Sequence, residues 1–276
     1  MTDVLVYAPL ARADAVRGTL ARACRATGVP VRLELFHSSG SLFQRLRARR
    51  APPPPDVILW SGPYAAHAAA LDNLLQPYQP PMVPPNAAHE AGWRWLAVEF
   101  DTLSIAGEPN MASVEELASA PRLAVTDPER SEHGMFALLA TLDRARQKEG
   151  AVESGWTWWS RRRAAGIELA ANTSEAISWL AQLRVTHVFG LAAGTTPLTG
   201  LAPVPHAVAL PVGGQHPDQA RQLVDWLASP DASGAGGLSV WQADANGLRA
   251  VLDASPPLDV DWGTRQYVSV RRRWAS

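Results

Sequence analysis

Residues 31–41 read Val31-Arg32-Leu33-Glu34-Leu35-Phe36-His37-Ser38-Ser39-Gly40-Ser41. The first six alternate apolar and polar side chains, which is the period of a strand. Ser38-Ser39-Gly40-Ser41 then opens a helix that carries Leu42, Phe43 and Leu46. The same strand-then-helix unit stands on either side. Upstream, Val4 to Tyr7 is a short apolar run closed by Ala8-Pro9. Val16, Leu20, Ala23 and Cys24 follow at helical spacing, and Gly28-Val29-Pro30 stops that helix. Downstream, Pro52 to Pro55 forbids helix and serves as a stiff connector. Asp56-Val57-Ile58-Leu59-Trp60 is a third strand, and Ser61-Gly62-Pro63 turns into a helix running to about Leu75. Successive β-α units predict a mostly parallel sheet covered by helices.

Farther along, Pro77 to Pro85 holds five prolines (Pro77, Pro80, Pro81, Pro84, Pro85) and reads as an extended surface loop. Trp93 to Ile105 predicts a long strand or a strand pair. A second α/β set lies between Ala106 and about Pro203. Its expected helices are Val114–Leu117, Gly134–Arg146, Gly155–Ala165 and Ser174–Leu183, and its strands Arg122–Thr126 and Val185–Leu191. After Pro203 come a strand over His206–Val212 and a helix over Pro217–Ala228, with Ala220, Leu223, Val224 and Leu227 on one face. Another helix is expected over Gln242–Leu252, then a tail to Trp274.

The composition narrows the function classes. The chain has 276 residues, 47% hydrophobic and 18% charged, enough apolar content for one large or two mid-sized cored domains. A formal net charge of −1 gives no general field for nucleic acid, and the clusters Arg45–Arg50, Arg161–Arg163 and Arg271–Arg273 read as solvated helix faces. The single cysteine, Cys24, excludes an intrachain disulfide and a cysteine-based metal site, and it reads as a buried small hydrophobe. The seven histidines lack metal-site spacing, and no P-loop, Gly-x-Ser-x-Gly elbow or Gly-x-Gly-x-x-Gly turn occurs. Met1-Thr2-Asp3 runs directly into the first strand without a basic n-region or long apolar h-region. The chain as given is therefore expected to be soluble, either trimmed of a leader or retained inside the cell.

Several local strings in this order resemble bacterial extracellular solute-binding proteins of ABC importers. The likeness is to the receptors for ferric iron, aminoethylphosphonate and phosphorylated sugars. The strings are Ser38-Ser39-Gly40-Ser41-Leu42, Pro55-Asp56-Val57, Leu74-Leu75-Gln76-Pro77-Tyr78, and Gly92-Trp93 with Val98. Asp127-Pro128 with Ser131 and Gly134 resembles the family's loop at a helix start. His216-Pro217, Val224-Asp225-Trp226-Leu227, Ser229-Pro230 and Leu258-Asp259-Val260-Asp261-Trp262 complete the pattern. The resemblance implies an α/β, two-lobed periplasmic-binding-protein-like (type II) fold. Each lobe would be a mixed, mostly parallel sheet covered by helices. Lobe one would comprise residues 1–103 plus 205–276 and lobe two the inserted residues 104–204. A two-strand hinge near Ala97–Ser104 and His206–Pro211 would let the lobes close on a ligand that a membrane permease then reads.

Open α/β sheets bind ligands beyond the carboxyl ends of their strands. In lobe one that edge holds Ala8-Pro9, His37-Ser38-Ser39-Gly40 and Trp60-Ser61-Gly62. Ser38, Ser39, Gly40 and Ser61 would offer amides and hydroxyls to an anion at a helix start, as phosphate or phosphonate groups sit at this loop in relatives. The alternative is that Ser39 or Ser41 merely caps the helix. Tyr7 and Trp60 end strands there and either stack on a ligand or pack the core. Glu99 and Asp101 stand in the expected hinge, meeting a ligand ammonium or remaining solvated. In lobe two, Ser131 and Gly134 lie at the opposing helix start. Glu132 and His133 replace the small residues of relatives there. The Glu132 carboxylate either faces solvent or answers an amine on the ligand. Thr173 and Ser174 follow Asn172 at the next helix start, where capping is the alternative to binding. Iron-binding relatives use paired tyrosines after the Val185–Leu191 strand. Here that stretch is Ala192-Ala193-Gly194-Thr195-Thr196, which argues against an iron site.

The expected function is that of an ABC-importer substrate-binding protein that captures a small anionic solute, such as a phosphonate, phosphate ester or carboxylate. It would have no catalysis, no metal and no cofactor. Its partners would be the solute and an ABC permease, with no nucleic acid, and it would act as a monomer in the periplasm or outside the cell. Two alternatives stand beside it: a cytoplasmic sensor or orphan binding protein of the same fold, and an α/β enzyme.

Overall fold

A computed structural model describes residues 3–48, 54–83, 88–108, 111, 113–191, 196–198, 200–232, 238–239 and 257–276. The expected helix over Gln242–Leu252 lies outside them. The chain forms two compact units. One comprises residues 1–100 with 205–246, and the other 101–204 with 247–276. No helix among the described residues is long and apolar enough to cross a membrane.

The first unit begins with β1 (Val4–Pro9), a single 3-10 turn at Leu10–Arg12, and α1 (Ala13–Thr27). Gly28 ends α1 in the left-handed conformation at φ 72°, its amide bonded to Cys24 O. Then come β2 (Val31–Phe36), α2 (Ser39–Arg47), β3 (Val57–Leu59), α3 (Pro63–Leu71), β4 (Leu75–Gln76) and β5 (Leu96–Asp101). β1 pairs parallel with both β2 and β3, as the three β-α units demand. α3 is shorter than expected. The chain turns at Asp72-Asn73, with Asn73 at φ 55°, and Leu75-Gln76 becomes a strand instead.

The second unit begins with β6 (Leu103–Gly107), α4 (Val114–Leu117), β7 (Leu123–Thr126) and α5 (Glu132–Glu149). It continues through α6 (Glu153–Ala164), β8 (Glu168–Ala170), α7 (Thr173–Ala181), β9 (His187–Leu191) and β10 (Thr196–Pro197). Its sheet has the order β10-β6-β9-β7-β8. β7 is parallel to β8 and β9, and β6 is antiparallel to β9. The expected strand pair over Trp93–Ile105 is therefore divided: β5 closes the first unit and β6 opens the second. β8 has no counterpart in the sequence reading. Its three residues are too few to show a period, and only pairing with β7 makes them a strand.

The chain returns to the first unit as β11 (Val204–Pro211), buried along its whole length, followed by α8 (Pro217–Leu227) and β12 (Leu238–Ser239). The first sheet has the order β12-β5-β11-β3-β1-β2, with β4 also on β11. β11 runs antiparallel to β3, so the sheet is mixed: parallel over β2-β1-β3 and antiparallel where β11 enters. Val16, Leu20 and Ala23 of α1 and Ala220, Leu223, Val224 and Leu227 of α8 join Val4, Val6, Val57 and Val208 in one core. Their spacing puts each set on a single helix face.

The tail to Trp274 is in fact a helix, α9 (Val260–Ala275), and it belongs to the second unit rather than to the first. Asp259 caps it by accepting from Trp262 N at 2.9 Å. Asp259 N in turn donates to Asp143 of α5 at 3.1 Å, and Arg146 links Asp143 and Asp259 at 2.7 and 2.8 Å. At the other end, Trp274 meets Trp159 edge to face at 5.2 Å, and Trp159 Nε1 donates to Thr141 Oγ1 at 2.7 Å. This aromatic packing gives the tryptophans of α6 a role in the core of the second unit.

Two of the arginine clusters are not simply solvated. Arg162 is 5% exposed and donates to the carbonyls of Ala118 and Ala120 just beyond α4. Arg273 pairs with Glu153 and covers the Trp156 ring at 4.5 Å. Cys24 is half-buried.

Candidate functional site

The carboxyl edge of the first sheet carries the loops that follow β1, β2 and β3. Ser38 is the N-cap of α2. It accepts from Ser41 N at 3.1 Å, while Ser41 Oγ bonds back to Ser38 in a capping box. Ser39, the first residue of α2, is buried and shares a 3.1 Å hydrogen bond with the buried Ser61 Oγ after β3. The structure thus brings Ser39 and Ser61 together, and their hydroxyls fix the two loops to each other, while the Ser38 hydroxyl is used in capping α2. What this edge can offer a ligand is backbone. Helix geometry leaves the first amides of α2 without carbonyls four residues back. Gly40 is exposed, and a Cβ there would meet only Ser38 Oγ at 3.6 Å, an ordinary contact.

Tyr7 and Trp60 are core side chains, 2% and 0% exposed. Tyr7 packs on Phe36 with ring centroids 4.6 Å apart. Glu99 is ion-paired with Arg12, both side chains largely buried, although β3 and β11 separate β1 from β5 in the sheet. That carboxylate is therefore already committed to a cation within its own unit. Arg12 escapes a sequence reading because its partner is 87 residues away.

In the second unit the corresponding edge is the carboxyl end of parallel β7 and β8. Asp127 N donates to Ala170 O at 2.7 Å and joins the two loops. Ser131 stands at the N-cap of α5 in extended conformation, yet its side chain makes no capping bond. Gly134 in the first turn is required by packing, since a Cβ there would lie 2.2 Å from Thr126 O. That close approach puts the start of α5 against the end of β7. Thr126, the last residue of β7, is 2% exposed, and its Oγ1 has no hydrogen-bond partner among the described residues. A polar residue ending the Arg122–Thr126 strand was visible in sequence, but its burial was not. His133 Nδ1 lies 3.4 Å from Thr173 Oγ1 and so links the starts of α5 and α7.

The start of α7 itself is closed. Asn172 accepts from Glu175 N at 2.9 Å, and Glu175 accepts from Ala171 N at 2.6 Å. Ser174 is exposed on this capped helix. The stretch Ala192–Thr195, where iron-binding relatives carry tyrosines, lies outside the described residues. The second unit thus presents an uncapped start to an 18-residue helix, a buried threonine hydroxyl and a histidine. Such an arrangement can hold an anion through amides and the helix dipole.

A family model described as bacterial extracellular solute-binding protein matches residues 4–235. Among solved structures, iron-bound HitA from Pseudomonas aeruginosa aligns with TM-score 0.80 at 16% identity, covering 100% of both chains. The periplasmic binding protein AfuA from Actinobacillus pleuropneumoniae, with fructose-6-phosphate bound, gives TM-score 0.79 at 15% identity, covering 99% of this chain and 97% of its own. The substrate-binding protein of an ABC transporter from Agrobacterium tumefaciens gives 0.78 at 16% identity, covering 99% and 93%. No curated protein matches the sequence.

Proposed function

This chain belongs to the bacterial extracellular solute-binding protein family, which serves ABC importers, and we propose that the solute it captures is a small organic anion. The phosphate ester, phosphonate and carboxylate classes all fit. The observation that carries the reading is the start of α5: a serine in the N-cap place that makes no capping bond, against the end of β7, whose last residue Thr126 has a buried hydroxyl without a partner among the described residues. An anion placed at this helix start would be favoured by the helix dipole and by the Ser131 hydroxyl. The start of α2 at Ser39-Gly40 offers a second seat of the same kind within the first unit. Binding of fructose-6-phosphate by AfuA, a chain of the same fold, supports the phosphate-ester class. With Glu99 held by Arg12, a ligand ammonium has no open partner in that carboxylate.

Iron capture, as in HitA, is less well supported. Hard Fe(III) favours phenolate and carboxylate oxygen. The four tyrosines, Tyr7, Tyr64, Tyr78 and Tyr267, are nowhere adjacent in sequence, and Tyr7 and Tyr64 are buried at 2% and 4% exposure. The reading carries no catalytic step.

A thermal-shift screen with inorganic phosphate, fructose-6-phosphate, 2-aminoethylphosphonate, citrate and ferric citrate tests it. A ligand at a hundred times its Kd adds about 2.7 kcal/mol. Ser131→Ala removes no capping bond, so it should leave the unliganded midpoint unchanged and abolish most of the anion shift. Gly40→Ala tests the α2 seat in the same way, because its Cβ meets ordinary space. A shift with ferric citrate alone, or Ser131→Ala responding like wild type, refutes the reading.

A further inference from the structure

The sheet of the second unit changes character in its last row before the carboxyl edge. Ala124 of β7 pairs with Val188 of β9, and Val188 with Ala106 of β6, so this row is apolar. Ala124 and Val188 share a core with Ala176, and Ala106, Ile177 and Leu180 pack against it. Side chains alternate faces along a strand, so the next row on the same face is Thr126, Gly190 and Ser104. All three are buried, Thr126 at 2% and Ser104 at 1% exposure. A glycine thus stands between two hydroxyl-bearing residues. Among the described residues, a Cβ on Gly190 would meet only Thr126 Oγ1, at 3.8 Å, so the space of one side chain is left open there. Ser104 Oγ has the Thr102 carbonyl at 3.5 Å, whereas Thr126 Oγ1 has no hydrogen-bond partner among the described residues. A buried hydroxyl without a partner costs stability, and a valine of nearly the same shape would pack there without that cost.

We propose that Thr126 is a ligand-contacting, specificity-determining residue, and that the space beside Gly190 is the niche in which it meets the solute. Its hydroxyl donates to one terminal oxygen of a phosphate, phosphonate or carboxylate group that enters there. The inference rests on the reading of the solute as an anion, and it needs no amide of α5. Thr126 ends β7 at the carboxyl edge, where open α/β sheets receive their ligands. Neighbouring strands lie about 4.8 Å apart, so a gap one side chain wide admits an oxygen and excludes a sugar ring. The solute supplies the partner that the hydroxyl lacks, and binding offsets the cost of burying it in the unliganded protein.

The test combines calorimetry with inorganic phosphate and fructose-6-phosphate and urea denaturation without ligand, on wild type, Thr126→Val, Thr126→Ser and Gly190→Ala. Thr126→Val should weaken binding about tenfold or more, the scale of a hydrogen bond to a charged group. Without ligand it should be as stable as wild type or more so, because an unsatisfied hydroxyl is gone. Thr126→Ser keeps the hydroxyl and should retain most of the affinity. Gly190→Ala fills the niche at an ordinary contact distance, so it should fold normally and bind more weakly. A Thr126→Val less stable than wild type without ligand assigns the hydroxyl to an internal water and overturns the proposal. So does a Thr126→Ser as weak as Thr126→Val, or a Gly190→Ala that binds like wild type. Wild-type protein that ignores every anion of the thermal-shift screen refutes the anion reading and the proposal with it. A responsive wild type with an equally responsive Thr126→Val refutes the role of Thr126 alone.

Discussion

Replacing Asp56 with alanine should destabilise the first unit severely, and the structure says by how much. The Asp56 side chain is 3% exposed. Its Oδ2 accepts from Leu5 N at 2.8 Å, and its Oδ1 accepts from His216 N at 2.8 Å. His216 Nδ1 lies a further 3.0 Å from Oδ2. One carboxylate therefore ties the start of β3 to β1 and to the first turn of α8. Alanine would leave the buried Leu5 amide without an acceptor, at a cost of about 1–3 kcal/mol. It would also remove a charge from the start of α8, worth about 1–2 kcal/mol. The sum, about 2–5 kcal/mol, overlaps the usual cost of about 3–5 kcal/mol for breaking a buried pair from one side. At about 2–4 °C per kcal/mol for a chain approaching this size, the midpoint should fall by about 4–20 °C. His216→Ala removes only the ring contact and should cost about 1 kcal/mol. Urea titrations of both variants at neutral pH decide the matter. An Asp56→Ala within 1 kcal/mol of wild type, or a His216→Ala equally costly, would refute the reasoning.

The pH dependence of the same group has a definite sign. Burial alone would raise the Asp56 carboxyl. The His216 ring and the Leu5 and His216 amides outweigh it and hold the group below its ordinary value. A carboxylate depressed in the folded state contributes stability above its unfolded pKa of about 3.9 and loses it as the pH falls toward the folded value. The gap between wild type and Asp56→Ala should be constant above about pH 5 and close progressively below pH 4. A gap that widens on acidification contradicts this.

Two further outcomes follow from the second unit. Gly134→Ala puts a Cβ 2.2 Å from the Thr126 carbonyl, so the start of α5 must move away from β7. Urea denaturation should show a loss of about 1–3 kcal/mol, as for overpacking, and calorimetry a weakened response to phosphate. Arg162→Met removes a buried guanidinium bonded to the Ala118 and Ala120 carbonyls. A loss of about 3 kcal/mol in the thermal midpoint analysis is expected, and an unchanged midpoint would show those carbonyls satisfied by water instead.

Local chemistry written in the sequence determined much of the fold. Apolar spacing announced α1 and α8, Gly28 announced the end of α1, and Ser38 announced the start of α2, because each depends on residues within a few positions. The succession β1-α1-β2-α2-β3 carried its parallel pairing with it. The candidate loops were legible: Ser38, Ser39, Ser61, Ser131 and Gly134 stand at the strand ends and helix starts where the sequence reading put them, because those are local features. What each of them does was not legible. Only the tertiary structure showed that the Ser39 and Ser61 hydroxyls bond each other across 22 residues, that Ser131 is left without a capping bond, and that Glu99 meets Arg12. It also made strands of β4 and β8, set β11 antiparallel to β3, and drew α9 onto α5. In each case the deciding partner is distant along the chain. Short segments carry too little periodic signal to choose a conformation alone, so long-range pairing and burial choose it for them.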